Sequence, residues 1–284
     1  MNQMHKEPFR ILYVITCLFC LATGMMVILY PCIASAWNSH TQSKAISGYN
    51  EKLHETEKQR YETLKQEAIR FNEEVIYDRN AAVLTQKEME QYENMLKVDE
   101  SGMLGFIEIP SINTRLPIYR GTDENALSSG AGHVEWSSLP LGGENTHCVI
   151  SGHSGMSGVR LFDDLVKMKK NERFYVHVLD EVLVYEVIRI ETCLPQQSEL
   201  LSVEDGKDLC TLVTCTPYGI NSHRLLVTGE RVRKNEIPAE KTKKQNSTPT
   251  VMIVLCLTVT GSLLYALNRR RKKQINSADG KGML

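Results

Sequence analysis

Leu209-Cys210-Thr211-Leu212-Val213-Thr214-Cys215-Thr216-Pro217-Tyr218-Gly219 is the stretch on which the reading of this chain turns. Its first half is apolar and β-branched, which predicts a strand. Pro217 and Gly219 then force a turn. A residue at a strand end is held rigidly yet can face a cleft, so Cys215 stands where a nucleophile would. The competing reading is a structural or disulfide-bonded cysteine. Cys210 and Cys215 are an odd number of residues apart, so an unbroken strand turns them to opposite faces, which argues against their pairing.

Two neighbouring pieces give Cys215 possible partners. His147-Cys148-Val149-Ile150-Ser151-Gly152-His153-Ser154-Gly155 again reads as a strand ending in a glycine-flanked polar turn, now carrying His153. His133, His147, His177 and His223 compete with it, and His177, on the outward face of a strand, is the poorest candidate. Arg224 opens the strand Leu225-Leu226-Val227 and would lie beside Cys215 if the intervening turn returns the chain antiparallel. A free thiol, with a pKa of about 8.5, is mostly protonated at neutral pH, and a neighbouring imidazole favours the thiolate. A guanidinium offers fixed, permanently charged donors suited to an oxyanion. The plain alternatives are a loop histidine and a surface arginine.

Around these pieces the chain is rich in short alternating segments. Leu104–Ile109, Leu116–Tyr119, His147–Ile150, Phe174–Leu179, Val182–Ile190, Leu209–Thr214 and Leu225–Val232 read as strands, with Asp180-Glu181 as a hairpin turn. Only short helices fit, at about Glu124–Ser129 and Leu161–Lys169. Seven or more such strands predict a mainly β, mostly antiparallel barrel or sandwich. Residues 37–98 precede it as a charged helical segment, read as a solvated stalk with one face on the domain; a partner-binding coiled coil is the alternative.

The apolar runs Ile11 to Tyr30 and Thr250 to Leu267 are each long enough to cross a bilayer. Lys6 and Arg10 precede the first, and Arg269, Arg270, Arg271, Lys272 and Lys273 follow the second. Basic flanks stay cytoplasmic, so the middle of the chain is expected outside the cell membrane. Ala34-Ser35-Ala36 also fits a signal-peptidase site, which would remove the first anchor. The expected domains are therefore a cytoplasmic tip and first anchor (1–36), the charged helical segment (37–98), the catalytic barrel (99–235), a polar linker (236–248), a second transmembrane helix (249–268) and a basic tail (269–284). The formal net charge of -1 gives no sign of nucleic-acid binding. The eight cysteines show neither a CxxC pair nor a Cys/His metal pattern, so no metal is expected.

Thr211-Leu212-Val213-Thr214-Cys215 matches the T-L-x-T-C signature of sortases. Thr216 to Val227, Gly105-Phe106-Ile107-Glu108-Ile109-Pro110 and Ser138-Leu139-Pro140-Leu141-Gly142-Gly143 resemble the class C, pilin-assembling branch, and His153 falls where that family keeps its histidine. The similarity covers roughly residues 100 to 235. It implies a closed eight-stranded sortase barrel, flanked by transmembrane helices in a Gram-positive bacterium. Cys215 would be the nucleophile, His153 the general acid/base and Arg224 the stabiliser of the oxyanion. Thr211, Leu212, Thr214, Pro217 and Ser154 would bind substrate.

The resemblance further implies cleavage of an L-P-x-T-G-like sorting signal between Thr and Gly, through a thioacyl intermediate. Transfer to a pilin lysine would build covalent pili, with no cofactor. Attachment of surface proteins to a cell-wall precursor is the alternative within the family; a hydrolytic cysteine protease and a non-catalytic surface module are the alternatives beyond it. One departure stands out. Class C enzymes usually carry an Asp-Pro-aromatic lid ahead of the barrel, and no proline occurs here between Trp37 and Ile109. The active site is therefore expected to be open, and deleting residues 80–90 is expected to leave the rate with a small thiol reagent nearly unchanged.

Overall fold

The computed structural model describes residues 6–56, 58–76, 83–156 and 158–232. The expected second anchor and basic tail lie outside the described residues. Eight strands close into a barrel: β1 (Met103–Ile109), β2 (Thr114–Arg120), β3 (Ala131–His133), β4 (Thr146–Ser151), β5 (Arg173–Val178), β6 (Glu181–Cys193), β7 (Asp208–Thr216) and β8 (His223–Arg231). Their order around it is β1-β2-β3-β4-β7-β8-β6-β5. Six of the eight pairings are antiparallel, while β2–β3 and β4–β7 are parallel.

Each predicted strand is present within a few residues. Alternation did the work: in β5, Phe174, Val176 and Val178 are buried while Tyr175 and His177 are half-exposed. The inward residues, among them Ile107, Ile118, Ile150, Leu212 and Val227, form one continuous core. The hairpin turn is shifted from its expected place. Val178 pairs with Glu181, so Leu179 and Asp180 make the turn, with Leu179 at φ 51°. The predicted helix over 161–169 is only a short 3-10 turn, Leu165–Lys167.

Among the described residues, four α-helices accompany the barrel. α1 (Lys6–Glu55) is continuous, so the expected boundary at 36/37 falls inside a helix. Among the described residues, nothing covers its apolar N-terminal stretch. Further along, Gln42, Ile46 and Tyr49 are buried at helical spacing and lay the helix on the barrel wall. The Tyr49 hydroxyl donates to the Leu104 carbonyl (3.0 Å) and accepts from the Leu179 amide (3.0 Å). A buried phenol is thereby satisfied on both sides, and burial pushes its pKa up to about 12.

α2 (Lys58–Phe71) runs into a single π turn, Asn72–Ile76. α3 (Gln86–Tyr92) starts at a capping box between Thr85 and Glu88, and α4 (Glu124–Ser129) is capped by Asp123. Three contacts tie this N-terminal layer to the barrel. Lys65 pairs with Glu181, the Asn72 side chain bonds both backbone groups of Leu139, and the Tyr92 hydroxyl meets the His133 ring at 2.9 Å. Glu181 begins β6, whereas Cys215 is level with the last residue of that strand, so the Lys65–Glu181 contact lies at the end remote from Cys215.

Candidate active site

The site forms where β4, β7 and β8 run out together. Thr214, Cys215 and Thr216 of β7 pair with Leu225, Arg224 and His223 of β8, so Cys215 and Arg224 are direct cross-strand neighbours. On the other side, β4 and β7 are in parallel register to Ser151 and Val213. Beyond the ladder the two chains remain laced. The Gly152 amide donates to the Val213 carbonyl (3.0 Å), Thr214 Oγ1 donates to the Gly152 carbonyl (2.7 Å), and Ser154 Oγ donates to the Cys215 carbonyl (2.6 Å). His153 sits between the two laced residues, Gly152 and Ser154. Adjacent strands lie roughly 4.8 Å apart, so this lacing brings the backbone of His153 beside that of Cys215.

Face as well as position is decided by alternation. Val149, Val213, Leu226 and Cys193 form a small apolar cluster apart from the barrel interior, under the β6–β7 connection, with Leu201 against it. Cys215 is two residues from Val213 and Arg224 two from Leu226, so both share that outer face. Cys193 is the β6 partner of Arg224. The cluster is the floor of the site and the connection after Cys193 is its wall. Burial raises the pKa of Cys193 although Arg224 pulls it down, so this second thiol stays protonated.

Local packing explains why glycine precedes the histidine. A Cβ on Gly152 would lie 2.6 Å from the Phe162 ring. Phe162 in turn donates its amide to the His153 carbonyl (3.0 Å), so the ring closes over the backbone that carries the imidazole. Cys215 and His153 are half-buried, and the His153 Nε2 is enclosed with no hydrogen-bond partner among the described residues. Among the described residues, the Arg224 guanidinium bonds carbonyls of its own turn alone, those of Asn221 and His223, each at 3.2 Å. Every cysteine among the described residues is a free thiol.

Residues 107–232 match the family model described as the sortase domain. A curated relative, sortase A of Bacillus anthracis, is 30% identical over 54% of this chain and 70% of its own length. The chain belongs to the sortase family. Among solved structures, sortase C1 of Streptococcus agalactiae superposes with a TM-score of 0.65 at 40% identity, covering 67% of this chain and 99% of that one. Sortase C of Clostridium perfringens, solved with the C-terminal cell wall sorting motif, gives 0.60 and 40% over the same shares. The protein is a sortase transpeptidase, and its place is with class C.

Not all of the signature reaches the cleft of this sortase. Thr214 laces the strand ends, Ser154 holds the Cys215 carbonyl, and Pro217 is exposed just past the thiol. Thr211 and Leu212 are fully buried, which corrects their expected substrate-binding role. Leu212 belongs to the barrel core. Thr211 Oγ1 lies 2.7 Å from His147 Nε2 and 2.8 Å from Thr228 Oγ1. His147 Nδ1–H donates to the Ser202 carbonyl (2.8 Å), which leaves Nε2 of the neutral ring to accept from Thr211. Burial, with Arg189 nearby, lowers its pKa. Sequence reasoning missed the apolar floor and Phe162; the shared parity of 149, 213 and 215, and of 224 and 226, is the signal that could have found the floor.

Proposed function

We propose that Cys215 is the nucleophile, His153 the general acid/base and Arg224 the oxyanion donor of a class C sortase reaction. Cys215, as thiolate, attacks the threonine carbonyl of an L-P-x-T-G-like signal, its proton passing to His153. Arg224 stabilises the tetrahedral oxyanion. The C–N bond to glycine then breaks, with the His153 proton going to the leaving amine, and a thioester remains on Cys215. A lysine amine of a pilin subunit attacks that thioester, gives its proton to His153 and releases the thiol, leaving an isopeptide bond. The sequence is acyl transfer without redox change and needs no cofactor.

The observation that carries this reading is the lacing of β4 to β7 around His153, together with the Cys215–Arg224 cross-strand pair. Pilin polymerisation is favoured over cell-wall anchoring because the solved class C sortases resemble this chain over nearly their whole length. α1 serves as a membrane anchor with the barrel outside the cell, and the second apolar run as another. The test is intact-mass analysis of full-length protein with an L-P-x-T-G peptide, beside Cys215→Ala. An adduct retaining the peptide through threonine, on the parent only, is expected. No adduct, with a Cys215 that resists alkylation, refutes the reading. Adding a pilin-derived lysine donor, or a cell-wall precursor amine, tells the two acceptors apart.

A further inference from the structure

α1 does more than tether the barrel. Asn38 Nδ2 donates to the Gly158 carbonyl (2.9 Å), and a Cβ on Gly158 would lie 2.8 Å from the Ala34 Cβ. Gly158 follows His153 by five residues. At the other end, Tyr49 is bonded to Leu104 and Leu179, at the start of β1 and at the β5–β6 turn. Eleven residues of helix, about 16 Å, separate Asn38 from Tyr49. The helix therefore runs along the barrel wall with its membrane-proximal part at the Cys215 end. The reverse arrangement would have put the remote end toward the bilayer.

Distances along α1 make the placement quantitative. The apolar run read as its membrane span closes at Tyr30, and Ala34 lies four residues, about 6 Å, beyond. The polar layer on each side of the hydrocarbon is roughly 5–8 Å thick. Tyr30 and Trp37, both exposed, bracket Ala34 as aromatic residues do at a membrane interface. The turn that contains Gly158 is thereby at headgroup depth.

The side chains at this rim suit that depth. Tyr218 and Ile220, 69% and 72% exposed, project from the β7–β8 turn just past Cys215. The Tyr218 ring lies 3.5 Å from the Cβ position of Gly155, so this turn neighbours the one that touches α1. Residues 158–170 also expose Arg160, Lys167, Lys169 and Lys170; Asp164 pairs with Lys167 at 2.8 Å and with Arg160 at 3.7 Å, so the segment keeps an excess of positive charge. Asp163 is occupied with the Gly155 and Leu161 amides.

We propose that this rim docks on the anionic bilayer that holds α1, with Tyr218 and Ile220 in the interfacial layer and the basic residues on lipid headgroups. The cleft then opens at the membrane surface, and the enzyme works on chains presented there. The proposal rests on α1 as a membrane anchor, and the test separates the two.

Full-length protein with Trp37→Phe and Trp136→Phe, the two native indoles, is reconstituted in phosphatidylglycerol/phosphatidylcholine vesicles whose acyl chains are brominated near the headgroup. Ile220→Trp and, at the remote end, Val182→Trp each add one indole at an exposed site, and circular dichroism checks the fold. An interfacial side chain sits roughly 5–10 Å into the boundary, so the indole added at position 220 is expected to lose about half its emission. That added at 182 is expected to lose none. Trp37 in a Trp136→Phe protein reports the anchor itself. Quenching of Trp37 without quenching at 220 overturns the docked rim and assigns the exposed pair to a protein partner. A Trp37 that is not quenched removes the anchor reading, and this proposal with it.

Discussion

Ser154→Ala tests whether the lacing of strand ends sets the geometry of catalysis. The mutation removes one hydroxyl, which donates to the Cys215 carbonyl at 2.6 Å, and leaves every other contact of the turn in place. A hydrogen bond of this kind contributes about 0.5–1.5 kcal/mol to stability. The Cys215 carbonyl is at the strand end and regains water, so the loss falls toward the lower part of that range. The effect on rate is larger than that on stability. His153 is held on one side by the two Gly152 bonds to β7, at its own carbonyl by the Phe162 amide, and on the other side by Ser154–Cys215 alone, and releasing that last bond lets the imidazole shift from the thiol. A misplacement of about 1 Å costs on the order of 100-fold. A kcat 10- to 100-fold lower is therefore expected, roughly 1.4–2.7 kcal/mol in the barrier, with KM little changed. Transpeptidation of an L-P-x-T-G peptide provides the rates, and thermal melts the stability. Ser154→Thr keeps the donor and is expected to restore most of the rate. Ser154→Ala with parental kcat would refute the argument, as would an equal loss in Ser154→Ala and Ser154→Thr.

Two further outcomes follow from the same geometry. Arg224→Lys keeps the charge and loses the planar fork; kcat is expected to fall on the order of 100-fold while the fold is retained, as read by the same peptide assay and a melt. His147 is buried as a neutral ring, and its lowered pKa means the unfolded chain binds a proton that the folded chain refuses. The stability it contributes is full above about pH 6.5 and is lost as pH falls from there through the folded value, so melts of the parent should drop across that window and those of His147→Gln should drop less.

Much of the fold was legible because barrel strands announce themselves by alternation. Phe174, Val176 and Val178 point inward in β5 and their neighbours outward, as the period of two requires. β3 escaped because three residues, Ala131–His133, are too few to alternate, and it is held by pairing with β2 and β4 rather than by its own composition. The extent of α1 was hidden for a different reason. Its apolar first half and polar second half look like separate segments, yet neither glycine nor Pro31 interrupts the helix. Its docking depends on Gln42, Ile46 and Tyr49 meeting barrel groups far away in sequence, which no local pattern encodes.

The site was legible as a set of residues and illegible as a set of depths. Within Thr211-Leu212-Val213-Thr214-Cys215, five neighbours do five different things. Leu212 faces inward and fills the core, while Thr211 faces outward into the His147–Thr228 bonds and is sealed there. Val213 floors the cleft, Thr214 laces β7 to the turn of His153, and Cys215 alone emerges half-exposed. Parity separates Leu212 from its neighbours, but it cannot separate Thr211 from Cys215, which share a face. What separates them is cover: the β6–β7 connection brings the Ser202 carbonyl over His147, and so over Thr211, and no such cover reaches the strand end. A matched motif therefore mixes residues that touch a substrate with residues that only hold them in place, and the division is set by where a distant loop crosses the strand.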